Sequence, residues 1–260
     1  MDRPVRSSLK TLALVASLAL SGCVSTLPPE RPARDPATFE QKNLDIAFGF
    51  LQEGYPGRAI GRLNEILKVN RRSARAYGML GVVYQSQGEY DLAEDNFARS
   101  LSIDSSASDV RNNYGVLLYE QGKYTKAREQ FLRVTEDVYY QQRSRAFENL
   151  GFVALQMNDL AQARQQFERA LRLDRNLLRA SLEMAELLYN DGNYVESERF
   201  YNNYLRLSTG RPGARSLWLG IKLARVFKDK DRLDEYVDQL TRYYPGSQEY
   251  RNYQASLRNG

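Results

Sequence analysis

Large, small and aromatic residues recur along this chain at fixed offsets, with a period of about 34 residues, from around residue 40 nearly to the end. In one period, Leu80-Gly81 is followed twelve positions later by the small residue Ala93, and four positions beyond that by the aromatic Phe97. The equivalent large–small pairs in the next periods are Tyr114-Gly115, Leu150-Gly151 and Met184-Ala185. Within a period, a polar segment that contains a glycine suited to a helix C-terminus separates two helical stretches. The pattern therefore predicts a series of helix pairs.

A period of this length with these offsets is the tetratricopeptide signature. The sequence therefore predicts an all-α fold, a superhelical solenoid of six tetratricopeptide repeats with a short C-terminal capping segment. The repeats are expected at residues 40–73, 74–107, 108–143, 144–177, 178–212 and 213–246, and the cap at 247–260. In the sixth repeat Arg232 stands where a small residue belongs.

Small residues at the predicted helix crossings allow the two helices of a repeat to approach closely, while large residues fill the gaps between repeats. The predicted packing residues are Ala47, Gly81, Gly115, Gly151, Ala185 and Gly220. Because none of these glycines belongs to a phosphate-binding motif, packing is their expected role.

The first 22 residues are typical of an export signal. Arg3, Arg6 and Lys10 precede an apolar stretch at residues 12–20, which is too short to span a bilayer as a helix. The string Leu-Ser-Gly-Cys that ends at Cys23 resembles the bacterial lipobox, in which the peptide is cut before an acylated cysteine. The alternative is a non-lipidated signal peptide with a chance cysteine.

Cys23 is the only cysteine of the chain, so it has no partner for an internal disulfide. Its acylation would anchor the protein to a lipid bilayer, because a lipoprotein carries several acyl chains. The next residue is Val24, and resemblance to sorted lipoproteins implies the periplasmic face of the outer membrane. Residues 23–39 contain four prolines and are predicted to form a semi-rigid tether.

Composition argues against several classes of function. Removal of residues 1–22 lowers the formal net charge from +5 to +3, and the basic residues are interspersed with acidic ones, so no nucleic acid is expected as a partner. The chain has no histidine, the commonest general base and metal ligand. Glu183 and Glu186 could meet on one helix, but we interpret them as part of a solvated face. We expect no enzymatic activity, cofactor, metal or small-molecule substrate.

The expected binding surface is the groove lined by the first helix of each repeat. In the first repeat the lining positions are Gln41, Leu44, Phe48 and Leu51. Three of the four are large and apolar at i, i+4 and i+7, which places them on one stripe of a helix. An exposed apolar stripe usually marks a partner site. The alternative is that an N-terminal segment of the chain covers it.

Several strings go beyond generic repeat positions. They are NNYG at 112–115, LYEQGKY at 118–124, RSRAFENLG at 143–151, LQMND at 155–159, LEMAELLY at 182–189, ARSLWLGIKLARVF at 214–227 and YPGSQEY at 244–250. Together with the lipobox they resemble the type IV pilus biogenesis lipoprotein family PilF/PilW. The resemblance implies a pilotin, which binds the pilus secretin subunit, accompanies it to the outer membrane and promotes its multimerisation. The alternative is a periplasmic lipoprotein adaptor for cell-wall enzymes.

Overall fold

The computed structural model describes residues 35–258, and this part of the chain folds into thirteen α-helices. None of these helices is long and apolar enough to cross a membrane. The helices are α1 (Pro36–Gln52), α2 (Pro56–Val69), α3 (Ala74–Ser86), α4 (Tyr90–Ile103), α5 (Ser108–Glu120), α6 (Tyr124–Glu136), α7 (Arg143–Gln156), α8 (Leu160–Leu173), α9 (Leu178–Asn190), α10 (Tyr194–Leu207), α11 (Ala214–Phe227), α12 (Lys230–Tyr243) and α13 (Gln248–Arg258).

The first twelve helices form six pairs, because each odd-numbered helix packs mainly on the even-numbered helix that follows it. Each pair also packs on the next, and α13 packs on α11 as the first helix of a seventh pair would. The predicted all-α solenoid of six tetratricopeptide repeats with a C-terminal capping helix is confirmed.

The turn inside each repeat contains one residue in the left-handed conformation. Four of these residues are glycines, with φ between 72° and 78°, and the other two are Asn158 and Lys228, both at φ 57°. In the sixth repeat Lys228 follows the C-terminus of α11, and its N–H donates to the carbonyls of Ala224 and Arg225. The backbone geometry of the turn is therefore kept where the glycine is not.

The core runs along the solenoid between the two layers of helices. The aromatic residues of the repeat frame are its largest members: Phe97, Phe131, Phe167 and Tyr201 are each at most 1% exposed. The connection between the third and fourth repeats, residues 137–142, is longer than the connections before it. Asp137 orders its start by accepting hydrogen bonds from the N–H of Tyr139 and the hydroxyl of Ser108, which also lowers the pKa of its carboxyl.

Candidate functional site: the inner face of the solenoid

The odd-numbered helices form the inner face of the curved solenoid. Contacts between successive repeats join α1 to α3, α3 to α5, α5 to α7, α9 to α11 and α11 to α13, whereas the even-numbered helices contact one another much less. Helices on the inside of a bend lie closer together than those on the outside. The exposed positions of the odd-numbered helices therefore line a continuous groove.

Small residues set the distance between the two helices of each repeat. A Cβ added to Gly81 would lie 2.6 Å from the ring of Phe97, and one added to Gly115 would lie 2.6 Å from the ring of Phe131. Gly151 lies in the same way against the ring of Phe167, and Gly220 lies against the hydroxyl of Tyr201 and the ring of Tyr236. Ala47 and Ala185, which replace glycine in the first and fifth repeats, are fully buried. The four predicted packing glycines thus lie at helix crossings, and the two predicted packing alanines lie in the core.

The structure separates the four side chains that the sequence assigned to the groove in the first repeat. Phe48 is 51% exposed, and Gln41 is exposed. The expectation that Leu44 is a surface residue was wrong: it is 6% exposed and belongs to the core between the first two repeats. Leu51 is half-buried against the same core. Leu44 shares this buried cluster with Ala76, Leu80 and Val83 of α3, which packs on α1.

Phe48 begins an apolar row that continues along the groove. The equivalent positions of the next three repeats are Val82, Val116 and Phe152, at intervals of 34, 34 and 36 residues. Val82 and Val116 are half-buried, and Phe152 is 9% exposed. The guanidinium of Arg179 lies 4.0 Å from the centre of the Phe152 ring and covers it. Sequence reasoning missed Arg179, although it stands second in its repeat, as the predicted lining residue Gln41 does in the first.

Hydrogen bonds across the inner face connect successive repeats. The guanidinium of Arg75 on α3 donates to the amide oxygen of Gln41 on α1 at 2.6 Å. The buried carboxylate of Glu148 on α7 accepts from the N–H of Ala180 in the first turn of α9 at 3.0 Å. Burial raises the pKa of Glu148, and its hydrogen bond and nearby arginines only partly offset that effect. These contacts fix the rotation of one repeat against the next.

A charged cluster replaces the apolar row in the fifth and sixth repeats. The guanidinium of Arg215 on α11 makes two hydrogen bonds of 2.7 Å to the carboxylate of Glu183 on α9, and it also contacts Glu186. Glu183 is only 7% exposed, so the interpretation of this pair as a solvated face was wrong. Burial raises the pKa of Glu186. Since one arginine holds both carboxylates, their role here is to join α9 to α11.

Cations stacked on aromatic rings line the C-terminal end of the groove. The ammonium of Lys222 lies 4.3 Å from the centre of the Tyr189 ring, and the guanidinium of Arg225 lies 5.4 Å from that of Tyr253 on α13. Burial lowers the pKa of Lys222. The row that is apolar in the first four repeats is therefore replaced by charged and aromatic side chains in the last two.

The predicted lipidation site, Cys23, and residues 23–34 of the tether lie outside the described residues. The last five residues of the predicted tether are described, and α1 already begins at Pro36. Asp35 caps this helix by accepting a hydrogen bond of 2.9 Å from the N–H of Thr38. The first helix thus starts four residues before the predicted first repeat.

Family comparisons agree with the repeat geometry. Tetratricopeptide repeat models match residues 72–138, 106–176 and 149–212. The solved structure of PilW, described as a widely conserved type IV pilus biogenesis factor, has a TM-score of 0.69 at 21% identity. That likeness covers 83% of this chain and 98% of PilW, and it supports the fold.

A nearer relative is the type IV pilus assembly protein PilF of Pseudomonas aeruginosa, which is 40% identical over 246 residues. The alignment covers 94% of this chain and 97% of the relative. A solved structure of PilF from the same organism superposes with a TM-score of 0.82 and 42% identity, covering 85% of this chain and 99% of that structure. The chain therefore belongs to the PilF/PilW family of type IV pilus biogenesis proteins.

Proposed function

We propose that this protein is an outer-membrane pilotin of type IV pilus biogenesis, which binds the pilus secretin subunit on the inner face of its first four repeats. Membership of the PilF/PilW family supports the role in pilus biogenesis. The lipobox-like sequence at Cys23 supports an anchored protein. The binding step is a capture of apolar surface and requires no catalysis.

The apolar row from Phe48 to Phe152 is the observation that supports this site most directly. The side chain of Phe48 is 51% exposed to solvent. The three following repeats also carry apolar side chains at the equivalent position. A secretin subunit presents apolar surface until it joins its multimer. Each large apolar side chain that is fully buried in such a contact contributes roughly 1.5–3 kcal/mol to the free energy of binding.

The proposed anchor gives the captured subunit its destination. Each acyl CH₂ that enters the bilayer contributes about 0.8 kcal/mol, and more than one chain makes the attachment stable. Val24 after the acylated cysteine directs the protein to the outer membrane in this proposal. The proline-rich residues 24–34 hold the solenoid away from the lipid surface, so its groove stays accessible.

The decisive test compares three serine substitutions in the full-length chain, co-produced with the secretin and purified in detergent. Phe48→Ser should lower the amount of co-purified secretin about tenfold or more and leave the melting temperature nearly unchanged. Val69→Ser, at an exposed valine of α2 outside the groove, should change neither. Phe97→Ser should lower both, because Phe97 is fully buried.

Normal secretin capture by a well-folded Phe48→Ser variant would exclude the first repeat as the binding site. Melting of this variant as early as Phe97→Ser would show that Phe48 serves the core instead. A variant that is stable, captures no secretin and assembles no secretin multimer supports the proposal.

A further inference from the structure

A cleft lies on the outer face of the solenoid, opposite the groove proposed to bind the secretin. It is bounded by α8 on one side and α10 on the other, with side chains of α9 at its base, and has a volume of about 930 Å³. Its base is apolar, formed by Leu171, Met184, Leu188 and Phe200. The cleft exists because the even-numbered helices of neighbouring repeats diverge on the outside of the bend.

The rim of the cleft carries more positive than negative charge. It holds four arginines, Arg172, Arg175, Arg199 and Arg206, against two glutamates. Each glutamate is paired with an arginine one turn further along its own helix. Glu168 lies 3.8 Å from Arg172 on α8, and Glu196 lies 2.6 Å from Arg199 on α10.

Arg175 and Arg206 have no carboxylate partner in the described part of the chain. Within residues 35–258, neither guanidinium has an acidic group within ion-pair distance. Arg206 donates to the amide oxygen of Asn203 at 2.8 Å. Asn203 in turn donates to the carbonyl of Arg175 at 3.0 Å and to the hydroxyl of Ser181 at 2.9 Å. The two arginines therefore flank one end of the cleft on a hydrogen-bonded frame.

We propose that this cleft is a second docking site, which binds an acidic peptide segment of a partner protein. The planar guanidinium groups of Arg175 and Arg206 match carboxylates, which they can bind through paired hydrogen bonds. The apolar base accepts a large apolar side chain placed between the acidic ones. A flat anionic membrane fits less well, since the apolar side chains lie at the bottom of a recess between two helices.

The position of the cleft gives it a distinct consequence for pilus assembly. The inner and outer faces of a solenoid are separated by its core, so both can be occupied at once. The protein could then hold the secretin in its groove and a second envelope protein on its outer face. This inference concerns residues of α8, α9, α10 and the connection between α8 and α9, and it does not depend on the identity of the groove's ligand.

The test selects binders from a random peptide library against the full-length chain in detergent. Peptides that combine Asp or Glu with Leu or Phe should be enriched. The affinity of a selected peptide, measured by fluorescence anisotropy, should fall about tenfold or more in the double variant Arg175→Gln/Arg206→Gln, because two charge-assisted pairs are lost. It should also fall with added salt.

Two control variants give the result its meaning. Arg62→Gln/Arg128→Gln removes two exposed arginines outside the cleft and should leave peptide affinity unchanged. Phe48→Ser, on the inner face, should also leave it unchanged, so failure of this site and failure of the secretin groove are distinguishable. Equal thermal melts of all variants show that folding is intact.

Three outcomes would overturn the proposal. One is a selection without acidic enrichment, or selected peptides that bind the double variant as tightly as the wild type. A second is full competition by millimolar inorganic phosphate, which would indicate a site for a small anion. A third is stronger sedimentation with phosphatidylglycerol vesicles than with neutral vesicles, abolished in the double variant, which would indicate a membrane.

Discussion

Gly115 of α5 lies directly against the ring of Phe131 of α6, so that an added Cβ would come within 2.6 Å of a ring carbon. Phe131 is 1% exposed and has no room to withdraw. Gly115→Ala should therefore lower the free energy of unfolding by about 1–3 kcal/mol. Gly61→Ala on α2, where a Cβ meets open space, should raise it by about 0.5–1 kcal/mol. Thermal or urea melts of both variants measure the difference, and equal effects would contradict the crossing geometry.

Lys228 adopts a left-handed conformation that glycine adopts at four of the other five repeat turns. The left-handed conformation costs a residue with a Cβ roughly 1–2 kcal/mol. Glycine avoids this steric cost, but it loses more conformational entropy on folding, which offsets part of the gain. Lys228→Gly should raise the free energy of unfolding by about 1 kcal/mol. Gly122→Ala, at φ 72° in the third repeat, should lower it by a similar amount. A destabilised Lys228→Gly variant would show that the lysine side chain matters more than its backbone strain.

Arg215 joins α9 to α11 through Glu183, and its removal should uncouple the last two repeats. Arg215→Met leaves the buried Glu183 without its cation and should cost about 2 kcal/mol at neutral pH. The loss should shrink toward pH 4, because burial raises the pKa of Glu186, so that this carboxyl becomes neutral at a higher pH than a solvated one. The double variant Glu183→Gln/Arg215→Met should recover part of the loss. A pH-independent loss would argue against this explanation.

Tyr114 contributes to stability through its contact with Glu94, and this contribution should be lost in strongly alkaline solution. Its hydroxyl donates to that carboxylate at 3.0 Å, and burial together with this hydrogen bond raises the pKa of Tyr114 to about 12. A group whose pKa is raised in the folded state stabilises the fold fully below the unfolded value, near 10, and loses that contribution as pH rises through about 12. Melting temperatures measured across this window should fall less steeply in Tyr114→Phe than in the wild type. A parallel decline in both proteins would show that other groups dominate.

Cys23 is expected to set the location of the protein. Cys23→Ala should leave the chain in the soluble periplasmic fraction or in the wrong membrane, because acyl chains supply the stable anchor. Fractionation of cells that produce each form at equal levels measures this. The matched control is the Cys23→Ala chain joined to the signal peptide and acylated cysteine of an unrelated lipoprotein. Unchanged outer-membrane location of Cys23→Ala would contradict the lipoprotein prediction.

The repeat frame shows how much a sequence of this kind determines. The alternation of large, small and aromatic positions predicted the helix pairs, since a small residue and an aromatic ring at a crossing recur wherever two helices must approach closely. Gly81 with Phe97 is such a pair, and its contact could be expected from local spacing alone. Arg232 broke the frame. The structure accommodates it through ion pairs with Asp229 and with Glu198 of the preceding repeat.

The candidate sites depended on contacts between repeats, which no single repeat encodes. Leu44 and Phe48 are one helical turn apart and equally apolar, yet α3 buries the first and leaves the second exposed. The sequence around Glu183 predicts a surface carboxylate. In the fold, α11 brings Arg215, 32 residues further along the chain, into hydrogen-bonding contact with it. The outer cleft appeared only because neighbouring even-numbered helices diverge. The sequence by itself determined the helices and their pairing, because these follow from periodicity; the curvature of the stack decided which side chains remain available to a partner.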